Sequence, residues 1–290
     1  MSSQNRTGSR RKTITKISGL AMAGALVLTG CSPEVEKGWL PTERGTTSNT
    51  DRIMDLWVNS WIAALAVGII TWGLMVWCIV AYRRRKGTVG FPKQISYNLP
   101  IEIFYIVIPI FMVLVFFYFT DRDQQAIDDR SQPADVVVDV RGKQWAWDFN
   151  YKAGDVISED VYESGVQAHL TGDVIDKEEL PTLYLPVNRS VELELNSRDV
   201  IHSFWVPAFL QKRDMIPGKE NYLRFTPTAE GTFDGKCAEL CGEYHSEMLF
   251  RVKVVSEAEF NAHIEELSEA GNTGALGEEY DRNPNQNVIE

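Results

Sequence analysis

The sequence predicts a two-helix transmembrane hairpin followed by an all-β extracytoplasmic domain, on three observations. Two long apolar runs, 56–82 and 101–120, flank the basic stretch Arg83-Arg84-Arg85-Lys86. From residue 135 onward the apolar pattern changes to short alternating runs separated by Pro, Gly and Asn, the signature of strands and turns. Charge is segregated as well. Residues 1–30 carry five bases and no acid, while 121–290 carry 34 acids and 16 bases, a net of −18.

The whole chain of 290 residues has a net charge of −11. That excludes the basic footprint of a nucleic-acid binder. With 44% hydrophobic and 11% aromatic residues, it is not a wholly disordered chain. Four cysteines (Cys31, Cys78, Cys237 and Cys241) are too few for a disulfide scaffold.

Residues 1–30 read as a signal peptide. The bases Arg6, Arg10, Arg11, Lys12 and Lys16 precede the apolar run 19–28, in the n-region and h-region order of a secretory signal. The following Leu28-Thr29-Gly30-Cys31 resembles a bacterial lipobox, which implies cleavage before Cys31 and lipidation of its sulfur. The alternative is ordinary cleavage or an uncleaved signal, with Cys31 an incidental thiol. Residues 31–53 are polar, contain Pro33, Gly38, Pro41 and Gly45, and read as a linker.

The hairpin occupies 54–120. About 20 apolar residues cross a bilayer core, so both runs suffice. Pro109 is a candidate kink, and Trp57, Trp61, Tyr82, Tyr105 and Tyr118 sit near the ends as interfacial anchors. The loop between the runs holds five bases, with Lys93, and is therefore cytoplasmic. Both termini then face outward in a multi-pass arrangement in the cell membrane, which is also what a signal peptide requires. Cys78 reads as buried packing within a span. Glu102 is the single acid within the apolar runs. An ionisable group there is a functional candidate, and its plainer reading is a cap for the first helical turn.

The outer domain spans 121–268. Strand candidates are 136–140, 145–151, 182–185, 191–195, 222–225 and 249–255, a set that suits a sandwich or small barrel. Residues 256–267 read as a closing helix with Ser256 as N-cap and Glu259 three residues on. Residues 269–290 are polar and read as a mobile tail.

The chemistry concentrates in Cys237-Ala-Glu-Leu-Cys241-Gly-Glu-Tyr-His245-Ser-Glu-Met248, with His202 upstream. Two thiolates, two imidazoles and a thioether form a soft nitrogen-and-sulfur set that selects copper or zinc over magnesium or calcium. Met248 favours copper, because zinc sites use Cys, His and carboxylates. A mononuclear blue-copper site needs one cysteine, whereas two can bridge a pair of copper ions. The alternatives are a Cys237–Cys241 disulfide in an oxidising compartment, a zinc site without methionine, and Met248 as core filler beside four true ligands. His169 and His263 lie in acidic, polar stretches and read as solvated.

On these residues the chain resembles subunit 2 of the haem–copper cytochrome c oxidases, over roughly 51–260. The most specific stretches are 200–207, Asp214-Met-Ile-Pro-Gly218 and 235–248. The resemblance implies a cupredoxin-like Greek-key barrel holding two copper ions as a binuclear copper A centre. Cys237 and Cys241 would bridge the coppers, His202 and His245 would cap one each, and Met248 and the Glu239 carbonyl would be weaker donors. The Glu239 side chain would reach a magnesium ion shared with subunit 1. Glu102 matches a carboxylate that opens a proton-uptake route into subunit 1. Trp145, in Gly142-Lys143-Gln144-Trp145-Ala146-Trp147, matches the residue through which electrons enter; its plainer reading is strand packing. Lys143 and Ala146 depart from the family's usual His and aromatic.

A further departure is an acidic insertion at about 152–180. Residues 148–180 hold nine acids and two bases, so the insertion reads as a solvated loop or as a docking element for a basic electron donor. The implied partners are oxidase subunits 1 and 3, membrane lipid, and a cytochrome c, either diffusing or a membrane-tethered c domain of a cytochrome bc complex. The implied activity is electron transfer from cytochrome c to haem in subunit 1, where oxygen is reduced to water and protons are pumped. No Cys-x-x-Cys-His occurs, so no haem attachment motif is present. Two rivals remain open: a quinol-oxidase subunit 2 without copper, and a membrane-anchored copper carrier or sensor.

Overall fold

The computed structural model describes residues 32–87, 89–91, 94–165 and 179–281. Cys31 and its lipobox, His169, part of the acidic insertion and the last residues of the tail lie outside the described residues. The chain divides into two compact units, Met1–Pro41 and Thr42–Glu290. In the first, the described residues form one short helix, α1 (Pro33–Glu36), capped by Ser32, whose hydroxyl accepts from the Val35 N–H.

The second unit opens with the hairpin, α2 (Thr50–Ala81) and α3 (Leu99–Ile127), both long and apolar enough to cross a membrane. At 29 residues α3 is about 43 Å long, more than the hydrocarbon thickness. Its last turns, with Asp121, Arg122 and Asp123, therefore project beyond the apolar zone. Pro109 sits inside α3. Cys78, expected as buried packing, is exposed on α2, because the hairpin buries almost none of its apolar surface within this chain.

The expected linker 31–53 is more ordered than a linker. Ser48 N–H donates to the Thr226 carbonyl at 2.8 Å, and Thr228 N–H to the Thr46 carbonyl at 3.0 Å. Asn49 Nδ2 donates to the Arg224 carbonyl at 2.8 Å. The entry to α2 is thereby fastened to the β domain. At the exit from α3, Arg213 pairs with Asp128 at 2.6 Å and Arg130 with Glu192 at 2.6 Å.

The β domain consists of β1 (Val136–Lys143), β2 (Ala146–Tyr151), β3 (Val161–Ser164), β4 (Thr182–Pro186), β5 (Val191–Ser197), β6 (His202–Val206), β7 (Gln211–Met215), β8 (Asn221–Phe225), β9 (Gly231–Cys237) and β10 (Leu249–Val255). They form two five-stranded sheets, ordered β3-β2-β1-β5-β8 and β4-β10-β9-β6-β7. Pairing is antiparallel except for β1 with β5 and β4 with β10. Such non-local pairings are how a Greek-key sandwich returns its chain. Between the sheets lie Val138, Val140, Phe149, Leu183, Leu193 and Val252. Trp147, Phe204 and Phe250 pack ring on ring, at 4.7 to 5.8 Å between centroids. The closing helix α4 is Glu257–Glu269, and the Ser256 hydroxyl accepts from the Glu259 N–H as the capping pattern predicts.

Three expectations are corrected here. The acidic insertion is not all loop, because β3 pairs with β2 at the sheet edge. The alternation in β2 predicts one wet face, yet all six residues of the strand are buried. The reason is the tail, which is not mobile through Asp281. Asn272 accepts from the Tyr162 N–H at 3.0 Å, and Leu276 N–H donates to Asn150 Oδ1 at 2.8 Å. Arg198, itself buried, donates to the carbonyls of Leu276 and Gly277 and to Asp281. Its Nε also meets Asp148 at 2.9 Å. Buried polar groups persist where they are paired, so a polar face can be covered as completely as an apolar one.

Candidate metal centre

Strand pairing brings the distant histidine to the cysteines. β6 lies beside β9 with Phe204 opposite Cys237. His202 is two residues before Phe204, and the pleat sends both side chains to the same inward face. His202 is fully buried, as is Met248. After Cys237 the chain leaves β9, turns through Cys241 and a 3-10 turn at His245–Glu247, and re-enters the sheet as β10. Main-chain pairing closes this loop at its base, with Cys237 N–H donating to the Met248 carbonyl at 3.0 Å.

The five predicted side-chain ligands meet at this end of the sandwich. Cys237 Sγ and Cys241 Sγ are 3.9 Å apart and both are free thiols, not the bonded pair of the disulfide alternative. His202 Nδ1 lies 3.9 Å from Cys237 Sγ, and His245 Nδ1 lies 3.5 Å from Cys241 Sγ. Met248 Sδ is 3.7 Å from Cys241 Sγ. The Glu239 carbonyl stands 3.2 Å from Cys237 Sγ, while its carboxylate side chain is on an exposed residue beside Leu240, 78% exposed. His202, Cys237 and Cys241 form a group whose donor atoms all lie within 4.8 Å of one another.

The sulfurs are unequal. Contact with the Cys241 sulfur and with the His202 ring, against the cost of burial, holds the Cys237 thiol far below its ordinary range. Cys241 is pushed up by that same contact and by burial.

Two residues that sequence reasoning missed brace the site. Asp199 Oδ1 is 2.8 Å from His202 Nε2, which turns Nδ1 toward the sulfurs, the outer-shell arrangement typical of metal-binding histidines. Its other oxygen accepts the Gln144 N–H at 2.7 Å. Burial alone would raise the Asp199 pKa, but its bonds to His202, Gln144 and Val200 outweigh that and hold it low. Gln144 Nε2 in turn donates to the Cys241 carbonyl at 2.8 Å. Asp199, three residues before His202, was detectable as a candidate orienter of that ring. Nothing in the sequence signals the reach of Gln144.

Trp145 belongs to this constellation. Half-buried, it packs edge-on to Tyr244 at 5.0 Å and against Gly242, where a Cβ would come within 3.0 Å of its ring. Gly142 gives similar clearance to the His202 ring, at 3.0 Å. Lys143 pairs with Asp148 at 2.7 Å.

Two other predictions land elsewhere. Glu102 lies in the first turn of α3, far along the chain from the thiols, and its carboxylate accepts the Asn98 N–H at 3.1 Å, so it caps the helix. His263 is not solvated. It stacks on Tyr184 at 3.7 Å and is only 13% exposed.

Residues 136–255 match the family described as cytochrome C oxidase subunit II, periplasmic domain. A Streptomyces avermitilis protein named "Probable cytochrome c oxidase subunit 2" is 42% identical over 91% of this chain and 89% of its own length. The chain belongs to the cytochrome c oxidase subunit 2 family. The Mycobacterium tuberculosis cytochrome c oxidase subunit 2 is 33% identical over 91% of this chain and 85% of its own length. Among solved structures, the periplasmic domain of subunit II of cytochrome oxidase (CoxB) of Bradyrhizobium japonicum is 31% identical, covers 48% of this chain and 97% of its own, and superposes with a TM-score of 0.39. As a member of the cytochrome c oxidase subunit 2 family, the chain is a subunit of an oxidoreductase and joins two helices apolar enough to cross a membrane to an extracytoplasmic domain.

Proposed function

We propose that this subunit holds a binuclear copper A centre and uses it to relay single electrons from a cytochrome c to haem in subunit 1. The observation that carries the reading is the pair of free thiols 3.9 Å apart, each with its own imidazole nitrogen. Cys237 and Cys241 would bridge the metals, His202 and His245 would cap them, and Met248 and the Glu239 carbonyl would be the weak donors. Such a donor set fits copper, and a thioether is foreign to zinc sites. When bound, a copper pair supplies one-electron uptake and release.

The chain's own residues supply the rest. Two strands and a short loop fix the donors, so little reorganisation accompanies a change of charge. Asp199 orients His202, and the buried aromatic cluster of Trp147, Phe204 and Phe250 keeps water from the sulfurs. Trp145 is the electron entry: it packs on the backbone beside Cys241 and keeps a partly exposed edge. The exposed Glu239 side chain is proposed as a ligand to magnesium shared with subunit 1, and Glu102 as a proton-uptake entry as well as a cap.

Both termini face outward, residues 1–30 are a signal peptide and Cys31 is lipidated. Subunits 1 and 3 are the membrane partners. The 152–180 insertion steers a basic cytochrome c, including a tethered c domain; deleting 166–178 should slow turnover at low salt and matter less at high salt.

Electron spin resonance of the copper-loaded protein tests the centre. One unpaired electron shared by two equivalent nuclei gives a richer hyperfine pattern than one localised copper. Cys237→Ser or Cys241→Ser should collapse it. A single-nucleus pattern in the intact protein, or no copper uptake, would overturn the reading in favour of a carrier or an empty docking domain.

A further inference from the structure

The outer halves of α2 and α3 do not close on each other. They flank a groove of about 900 Å³ whose lining changes character along its length. Its deep part is apolar, walled by Ala63, Phe111, Val115 and Phe119. Its mouth is ionic: Arg52 and Arg122 both donate to the same oxygen of Asp123, at 3.0 and 2.8 Å. Asp123 is 3% exposed, so one carboxylate is shared by two guanidiniums that stay about half exposed, at 41% and 51%.

The other mouth acids are engaged elsewhere. Asp51 accepts the Gly45 N–H at 2.8 Å and Asp55 pairs with Arg44 at 2.7 Å. Each guanidinium carries five N–H donors, so the shared carboxylate leaves both with donors to spare. Arg122 also rests over the Phe119 ring at 5.0 Å, on the border between the two linings.

We propose that this groove binds a phospholipid of the outer leaflet, with its phosphate on Arg52 and Arg122 and an acyl chain along Phe111 and Val115. The depth fits. Phe111 lies eleven residues below Arg122, about 16 Å along a helix, which is one leaflet of a hydrocarbon core about 30 Å thick. The charge fits too, since guanidinium forks suit phosphate oxygens. A helix from another subunit would fill the apolar part but leave the guanidinium donors without an anion at the mouth.

The test uses the purified oxidase complex, delipidated in detergent. Phosphatidylglycerol, or a diacylglycerol with the same chains, is then added back and bound lipid is counted by native mass spectrometry. Wild type should keep phosphatidylglycerol through delipidation in preference to diacylglycerol. Loss of two charge-assisted contacts should weaken its binding about tenfold or more in R52Q/R122Q, with diacylglycerol binding unchanged. In a complex with both arginines intact, a benzophenone side chain replacing Val115 should cross-link to lipid. Equal phosphatidylglycerol retention in wild type and R52Q/R122Q, or cross-links from position 115 to another subunit instead of lipid, would overturn the proposal. Copper absorbance of each variant reports that the outer domain is folded.

Discussion

The outer domain and the hairpin use the same residue types to opposite effect. In the β sandwich, Trp147, Phe149, Phe204 and Phe250 are at most 1% exposed. In the hairpin, Ile69, Trp72 and Phe117 are 68 to 73% exposed. Water drives the first arrangement, because each Å² of apolar surface removed from it contributes about 25 cal/mol. Lipid removes that drive from the second, since acyl chains are as apolar as leucine. Exposed large apolar residues are thus few in the outer domain and the normal state in the hairpin. The outer domain holds its candidate site with its own packing, whereas the hairpin leaves its apolar surface to whatever surrounds it.

The largest effect that would test this contrast comes from paired truncations. Phe250→Ala should destabilise the outer domain by about 3–5 kcal/mol, read from the denaturant midpoint of its tryptophan fluorescence. Ile69→Ala should shift the same midpoint by less than about 0.5 kcal/mol. Equal effects would show that the hairpin and the sandwich share one cooperative core.

Arg198→Met comes next, because it asks whether polar burial holds the outer domain as firmly as apolar burial does. It removes the buried guanidinium from Asp148 and the Arg198 bonds that hold Leu276, Gly277 and Asp281. The expected cost is about 3 kcal/mol, at the low end for a broken buried pair, because Lys143 and Ser164 still reach Asp148. Proteolysis after residue 270 should rise in parallel. A stable, protease-resistant variant would mean the tail is held by something other than Arg198.

The smallest effect concerns Asp135, where the hairpin's exit meets β1. Its carboxylate accepts the Ser190 N–H at 2.7 Å and hydroxyl at 2.9 Å, which hold its pKa below the ordinary carboxylate value. A lowered folded-state pKa adds stability above the ordinary value of about 4 and loses it as pH falls through the folded value. Asp135→Asn should therefore be less stable than wild type at neutral pH, and the gap should close below about pH 4. A gap independent of pH would assign the loss to packing instead.

Much of the site was legible because its chemistry is local. Four donors fall within twelve residues, and the spacing Cys-x3-Cys-x3-His-x2-Met allows few other uses. The spans were legible because a bilayer demands length and apolarity alone. β9 was not, since Gly231-Thr-Phe-Asp-Gly-Lys-Cys carries two glycines and two charges, and pairing on both sides makes it a strand. β3 was hidden in an acidic stretch, and its pairing with β2 at the sheet edge makes it a strand.

The sequence by itself determined which donors are available, which segments are long and apolar enough to cross a membrane and where the charge lies, because each depends on residue type at short range. Only the tertiary structure decided that His202 faces Cys237, that Asp199 joins His202 to Gln144, and that the tail seals β2. Apart from Asp199 and His202, three residues apart, those contacts span tens of residues or more in the chain, and their partners are chosen by strand register and by the need of buried polar groups to be paired.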